Sequence, residues 1–167
     1  GRGNARSGSC RFQGTMTAQP HSTNARAVLR VLYGDTDAMG QAYYGQYMRW
    51  FEAGRAEWFR RLGTSYRRLE EQGIFLPVIE AHCRYLRPAF YDDVLEIETC
   101  FHFPAPARLR FDYAVHRQQP PELLARGYTV HVCVNEERKP LKPPMWLRDL
   151  LALNAVRDPA GQEASPS

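Results

Sequence analysis

The chain has 167 residues, a length that fits one domain with a single hydrophobic core. The formal net charge is +4, but five arginines and no acidic residue precede residue 31, so the rest of the chain is close to neutral. This distribution argues against a nucleic-acid partner, and no apolar run approaches the ~18 residues of a membrane helix, so neither a nucleic acid nor a membrane is expected as a partner.

The sequence predicts one folded domain, residues 26–155, between two tails. Residues 1–25 are rich in Gly, Ser, Arg, Asn and Thr without apolar periodicity, which is typical of a disordered tail. Because residue 1 is not Met and Met16 is the first methionine, we interpret residues 1–15 as an upstream or appended extension. The Pro- and Gly-containing residues 156–167 are expected to fray.

Within the domain, the hydrophobic period changes along the chain. Residues 26–33 alternate as in a strand, and residues 45–62 place an apolar stripe along one side of a helix. A short helical segment is expected at 65–73, four strands at 74–86, 93–103, 107–117 and 122–135, and a last helix at 145–154.

The connections between these strands are short and rich in turn residues, so we expect consecutive strands to pair antiparallel. The long helix must bury its apolar stripe against the sheet. The predicted fold class is therefore α+β, with one long helix packed on a five-stranded antiparallel sheet.

The four cysteines lie far apart and form no C-x-x-C pair, so neither a zinc ribbon nor a redox pair is indicated. Three of them, Cys83, Cys100 and Cys133, fall in predicted strands, where we expect buried, reduced thiols. Reduced thiols predict a cytoplasmic location. His131 shares a strand face with Cys133, but no further ligand stands at a suitable spacing, so we expect no metal and no other cofactor.

The segment YGDTDAMGQAYYGQYMRW places Asp35 and Asp37 just before the long helix. The first turn of a helix has unpaired N–H groups and a partial positive charge. An acid beside such donors has the parts needed to attack a carbonyl, or to deprotonate a water that does so. The alternative is that both acids only form turns and caps, as Asp often does in loops. This segment alone does not separate the two interpretations.

The wider pattern resembles a known family. The segments carrying the resemblance are Y-x-D-T-D-A-x-G, the helix YMRWFEAGRAEWFRRLG, and the stretches GIFLPVIEAHCRYLRPAFYDDVLEIET and ARGYTVHVCVN. Together they are similar to the 4-hydroxybenzoyl-CoA thioesterase-like branch of the hotdog-fold acyl-CoA thioesterases. The resemblance implies a sheet wrapped around the central helix, protomers paired through their sheets as a homodimer or a dimer-of-dimers tetramer, and hydrolysis of an acyl-CoA substrate.

The resemblance also implies roles for individual residues. The family's catalytic acid falls on Asp37, its oxyanion-binding backbone N–H falls near Tyr44, and an aromatic residue of the site falls on Tyr33. We interpret Asp35 as an acid that bonds to backbone. Gly40 is expected to allow a turn or a close approach of substrate. The stretch QAYYGQY is bulkier and less polar than the family's usual pattern, which leaves the acyl group open.

Several side chains keep two interpretations. Tyr43 and Tyr44 either line an acyl pocket or fill space between helix and sheet, whereas Tyr47 is expected in the core. Arginine matches phosphate geometry, so some arginines are expected to contact the CoA phosphates, and the others to form a solvated face. These candidates are Arg60, Arg61, Arg67, Arg68, Arg84 and Arg87. Arg55, in the long helix, is predicted to pair with neighbouring helix charges.

Other functions remain compatible with the pattern. A hotdog dehydratase needs a pocket histidine, and none stands near Asp37. A carrier-protein thioesterase and a non-catalytic acyl-CoA-binding module also fit the fold.

Overall fold

The computed structural model describes residues 24–105 and 107–156. Its strands and helices are β1 (Ala25–Arg30), α1 (Gln46–Arg61), α2 (Tyr66–Glu71), β2 (Val78–Tyr85), β3 (Val94–Ala105), β4 (Arg108–Arg117), β5 (Glu122–Val132) and α3 (Met145–Asn154). All five strands belong to one antiparallel sheet with the order β1-β3-β4-β5-β2. The predicted α+β class is confirmed, and the arrangement is the hotdog fold.

Helix α1 forms because its apolar side chains recur on one face, and that face packs on the sheet. Phe51 stacks on Tyr113 of β4, with ring centroids 4.3 Å apart and an interplanar angle of 7°. Gly54 permits the close approach, since an added Cβ would lie 2.4 Å from Thr99 Oγ1. Tyr47 is 2% exposed, which confirms its predicted core position.

One predicted connection is wrong. The short link after β2 was expected to join two paired strands, but β2 pairs with β5 and lies at the opposite side of the sheet from β3. Residues 86–93 therefore cross the sheet past the loop that precedes α1. The crossing is held by backbone hydrogen bonds, including Ala42 N to Ala89 O at 2.7 Å.

Residues at both ends of the described chain contact the sheet. Ala25 pairs with Thr99, and the N–H of Val156 donates to the carbonyl of Phe101 at 2.8 Å. The rest of the two predicted tails lies outside the described residues, apart from Asn24, whose side chain donates to Glu98 at 3.0 Å.

Candidate active site

The loop between β1 and α1 is built around two acids with different tasks. Asp35 ends a short 3₁₀ turn, where its Oδ2 accepts from the N–H of Leu32 at 2.8 Å. Its main-chain carbonyl accepts from the N–H of Tyr43 at 2.7 Å. Asp35 therefore holds the two ends of the loop together, which confirms the expectation that it bonds to backbone.

Asp37 sits in a tighter turn within the same loop. Its Oδ1 accepts from the N–H of Met39 at 2.9 Å, and its carbonyl accepts from Gly40 at 3.0 Å. Gly40 has a φ of 75°, a left-handed conformation that favours glycine, so its predicted role as a turn residue has a physical basis. The second carboxylate oxygen of Asp37 accepts no hydrogen bond from any described residue. The turn thus fixes the carboxylate through one oxygen and leaves the other available.

Asp37 lines an open pocket of about 300 Å³. The pocket is formed where the loop before α1 meets the end of β2 and the crossing segment. Its lining residues are Asp37, Gln41, Ala42, Tyr44, Tyr47, Tyr85, Leu86, Arg87 and Pro88. The structure therefore brings three predicted site residues, Asp37, Tyr44 and Arg87, to one cavity.

The N-terminus of α1 reaches this pocket without a side-chain cap. Backbone N–H groups from Gln46 onward bond to the carbonyls of the preceding turn, beginning with Gln46 N to Tyr43 O at 2.9 Å. The N–H groups of Tyr44 and Gly45 find no acceptor within residues 24–105 and 107–156. Unpaired donors at a helix N-terminus attract negative charge, including the charge that develops on a carbonyl oxygen under attack.

The remaining predicted aromatic residues lie outside the cavity wall. Tyr33 is 79% exposed and packs edge-on against Tyr91, with ring centroids 5.9 Å apart. The Tyr43 ring covers Gly45, and its centroid lies 4.5 Å from that of Tyr44. The rings of Tyr33 and Tyr43 lie beside the loop but do not line the pocket.

The two arginines predicted to bind substrate lie in different places. Arg87 lines the pocket and forms an ion pair with Glu122 at 3.3 Å. Arg84 is exposed on β2, opposite Arg126 of β5, and does not line the pocket.

Sequence reasoning missed Tyr85, the last residue of β2. Its Oη donates to the carbonyl oxygen of Tyr44 at 2.9 Å, and its ring meets Tyr47 edge-on at 4.8 Å. Strand alternation could have found it, because Tyr85 lies on the same face of β2 as Cys83, just before the turn at Pro88. Although the Tyr85 side chain is 45% exposed, desolvation of its hydroxyl and the neighbouring Cys83 raise the pKa of Tyr85 above its usual range.

Two groups of side chains contain residue types that bind metals. Within the described residues, the Cys100, His102 and Asp112 ligand atoms lie within 4.8 Å of one another. However, Cys100 is disulfide-bonded, and Asp112 already pairs with His102 at 2.8 Å and with Arg110 at 2.9 Å. A disulfide sulfur is not a thiolate ligand, so this group does not fit a metal.

The second group is the His131 and Cys133 pair. His131 is 1% exposed, and both of its ring nitrogens are hydrogen-bonded within the core. It is therefore a structural core residue. Cys83 and Cys133 are free thiols, as expected, whereas the expectation of a reduced thiol is wrong for Cys100.

No helix of residues 24–105 and 107–156 combines the length and the apolar character needed to cross a membrane.

Comparison with known proteins agrees with this fold. Residues 31–151 match the family described as the thioesterase-like superfamily. The chain is 30% identical over 129 residues to a 1,4-dihydroxy-2-naphthoyl-CoA hydrolase of Synechococcus elongatus, covering 75% of this chain and 93% of that one.

Two solved structures are also similar. A DHNA-CoA thioesterase from Staphylococcus aureus aligns with a TM-score of 0.72 at 27% identity, over 78% of this chain and 87% of that chain. A 4-hydroxybenzoyl-CoA thioesterase variant, in complex with 4-hydroxybenzoyl-CoA, aligns with a TM-score of 0.70 at 25% identity, over 77% of this chain and 99% of that chain.

The fold and the site define a hotdog protein with an acid beside a helix N-terminus. Because the family match covers most of the chain, this protein belongs to the thioesterase-like superfamily.

Proposed function

We propose that this protein is an acyl-CoA thioesterase, which converts a thioester into a free carboxylic acid and CoA. The observation that carries the proposal is the shared pocket of Asp37 and Tyr44, at an uncapped helix N-terminus. An attacking group and a carbonyl-polarising group are the two requirements of acyl transfer. Family membership and the thioester-hydrolysing activities by which the similar proteins are named support the same reaction.

Asp37 acts as nucleophile or as general base. As nucleophile, its free carboxylate oxygen attacks the thioester carbonyl carbon, CoA leaves as the thiolate and takes a proton, and water then hydrolyses the anhydride. As general base, Asp37 takes a proton from water while the water oxygen attacks the carbonyl carbon. The C–S bond of the thioester then breaks, and CoA again leaves as the thiolate and takes a proton. Both routes give the same products.

The oxyanion donor is a backbone N–H near Tyr44. As the carbonyl carbon becomes tetrahedral, negative charge gathers on its oxygen, and a fixed donor there is worth about 3 to 4 kcal/mol of barrier. The unpaired N–H groups of Tyr44 and Gly45 support this assignment. Their alignment with the dipole of α1 adds to the stabilisation.

The walls of the pocket favour a compact acyl group. Tyr44, Tyr47 and Tyr85 contribute three rings to a cavity of about 300 Å³. Aromatic and short aliphatic acyl groups both fit walls of this kind. Arg87 is the candidate partner for a CoA phosphate, because it combines pocket contact with an exposed guanidinium. Gly40, Tyr33, Tyr43 and Arg84 stay predicted substrate contacts that this cavity does not include.

A second copy of the chain is the proposed protein partner. β2 is a sheet edge, and all of its residues except Cys83 are exposed, including Val78 and Ile79 at 48% each. An unpaired edge presents backbone donors and acceptors to another strand, so pairing of two β2 edges would form a homodimer. Two such dimers would form the predicted tetramer. The pocket lies at the end of this strand, beside Tyr85.

Sedimentation equilibrium tests this pairing. The parent should be dimeric or tetrameric at micromolar concentration. Ile79→Asp should shift the protein toward the monomer, because it would place a charge in the interface between the two β2 strands. Leu153→Asp, at a residue of α3 that is 79% exposed, is the matched control and should keep the parent's mass. A monomeric parent would rule out the pairing.

The reaction is tested by free-thiol release from a panel of aromatic, short and long acyl-CoAs. We expect turnover by the parent and a loss of ~10² or more in kcat for Asp37→Asn. Asp149→Asn, at an exposed residue of α3, should match the parent. Binding of CoA thioesters without turnover would favour the non-catalytic binding module. Turnover of acyl-carrier-protein thioesters alone would favour the carrier-protein enzyme.

A cytoplasmic location stays a prediction. The free thiols of Cys83 and Cys133 favour a reducing compartment, while the disulfide bond of Cys100 points to an oxidising one.

A further inference from the structure

We infer that Tyr85 is a positioning residue of the active site, which holds the backbone of Tyr44 in the orientation that the oxyanion donor requires. This inference rests on the proposed function. It assigns a task to the last residue of an edge strand, 41 positions along the chain from the residue that it holds.

The contact itself is direct. The Tyr85 hydroxyl lies 2.9 Å from the carbonyl oxygen of Tyr44. A carbonyl only accepts, so Tyr85 must donate its proton there. A tyrosine hydroxyl is protonated at neutral pH, and desolvation of the hydroxyl together with the neighbouring Cys83 raises the pKa of Tyr85 further above its usual range.

The Tyr44 carbonyl depends on this bond. Its other recorded donor is the N–H of Tyr47 at 3.4 Å, longer than the usual 2.7 to 3.2 Å for N–H···O bonds. No side chain from the described part of the chain caps the start of α1. Tyr85 therefore supplies the stronger restraint on the turn that leads into the helix, and its ring adds an edge-on contact with Tyr47 at 4.8 Å.

The other side of the same turn is already fixed. The N–H of Tyr43 donates to Asp35 O at 2.7 Å, and the Tyr43 carbonyl accepts from Gln46 N at 2.9 Å. The Tyr44 N–H shares its peptide with the Tyr43 carbonyl, which Gln46 holds, whereas the Gly45 N–H shares its peptide with the Tyr44 carbonyl, which Tyr85 holds. Removing the Tyr85 bond allows the peptide that carries the Gly45 N–H to rotate, and small misplacements of a catalytic group reduce rates strongly.

Tyr85→Phe tests the inference because it deletes the hydroxyl and keeps the ring in the pocket. We expect kcat to fall about tenfold while KM stays within about twofold, since the donor acts mainly on the transition state. Tyr128→Phe is the matched control, because it also deletes a hydrogen-bonded hydroxyl, the one that donates to Glu80, but outside the pocket. Its kcat and KM should equal those of the parent.

Amide hydrogen exchange supplies a second readout that does not depend on turnover. A peptide covering residues 44–47 should exchange faster in Tyr85→Phe than in the parent or in Tyr128→Phe, with circular dichroism showing an unchanged fold. Faster exchange together with the selective loss of kcat supports the inference.

Results that overturn the inference differ from results that overturn the proposed function. A Tyr85→Phe variant with the kcat of an active parent, a rise in KM alone, or unchanged exchange at 44–47 overturns the inference and leaves the proposed function standing. A parent that hydrolyses no thioester overturns the proposed function, and the inference falls with it.

Discussion

The middle of helix α1 and its N-terminus use the same residue types in opposite ways. Beside Arg55, in the middle of α1, the Tyr113 hydroxyl is buried and the Tyr66 side chain is partly buried, and both hydroxyls accept hydrogen bonds from Arg55. At the N-terminus of α1, Tyr33 and Tyr44 are 79% and 64% exposed. The polar groups around Arg55 bond to one another, whereas the loop before α1 leaves backbone donors and a carboxylate oxygen without partners among the described residues. The available groups of the site are therefore at the surface, beside the pocket.

The interior network has a definite direction. Arg55 donates to the Tyr113 hydroxyl at 3.0 Å. The Tyr113 hydroxyl lies 2.6 Å from the Thr129 hydroxyl, and the Thr129 hydroxyl lies 2.9 Å from His131 Nε2. His131 Nδ1 must donate to the Leu76 carbonyl at 2.9 Å, so its Nε2 accepts from Thr129. Each hydroxyl thus accepts from one neighbour and donates to the next. This chain ties α1 to β4 and β5.

Two predictions test this difference between the regions. The one with the larger expected change in unfolding free energy concerns His131. Burial lowers its pKa from 6.5 to about 4, and the charge of Arg55 acts in the same direction. The unfolded chain therefore binds the proton more readily than the folded one. Stability is complete above pH 6.5 and should decline by up to about 3 kcal/mol as the pH falls toward 4.

Denaturant unfolding at a fixed protomer concentration measures this decline between pH 7 and pH 4. His131→Asn should reduce the difference between the two pH values, whereas His82→Asn, at an exposed histidine, should reproduce the parent's profile. Equal profiles for the parent and His131→Asn would show that the network does not require a neutral imidazole.

The prediction with the smaller expected change in unfolding free energy compares the removal of one hydroxyl from each region. Tyr113→Phe removes the acceptor of a buried guanidinium and should cost about 2 kcal/mol of unfolding free energy. Tyr91→Phe deletes the hydroxyl of an exposed ring that packs against Tyr33, and it should change the unfolding free energy by less than about 0.5 kcal/mol. Equal costs in thermal or urea unfolding would remove the distinction between the regions.

Local patterns predicted much of the fold. The helical period of α1 and the alternation of β3 and β4 are properties of neighbouring residues, and all three elements form where the pattern placed them. The position of β2 depends on which distant strand it pairs with. β2 pairs with β5 rather than with β3, and the segment near Ala89 crosses back past the loop before α1, so the length of the link alone did not predict the pairing.

The site was predictable to the extent that it lies in one segment. The turn around Asp37 and the start of α1 are contiguous, so the acid and the helix terminus could be found together. Tyr85 comes from a strand whose neighbours only the tertiary structure reveals. Arg55 is a correction of the same kind, because it is 8% exposed and bonds to Tyr66 and Tyr113 rather than to helix charges.

The most direct test of the account measures activity and stability on one variant, Asp37→Asn. The account assigns the free carboxylate oxygen to chemistry, and the substitution keeps an oxygen that can accept from the N–H of Met39. The predicted result is a loss of ~10² or more in kcat for acyl-CoA hydrolysis, with unfolding free energy within about 1 kcal/mol of the parent. Retained activity, or a loss of activity matched by a loss of stability, would contradict it.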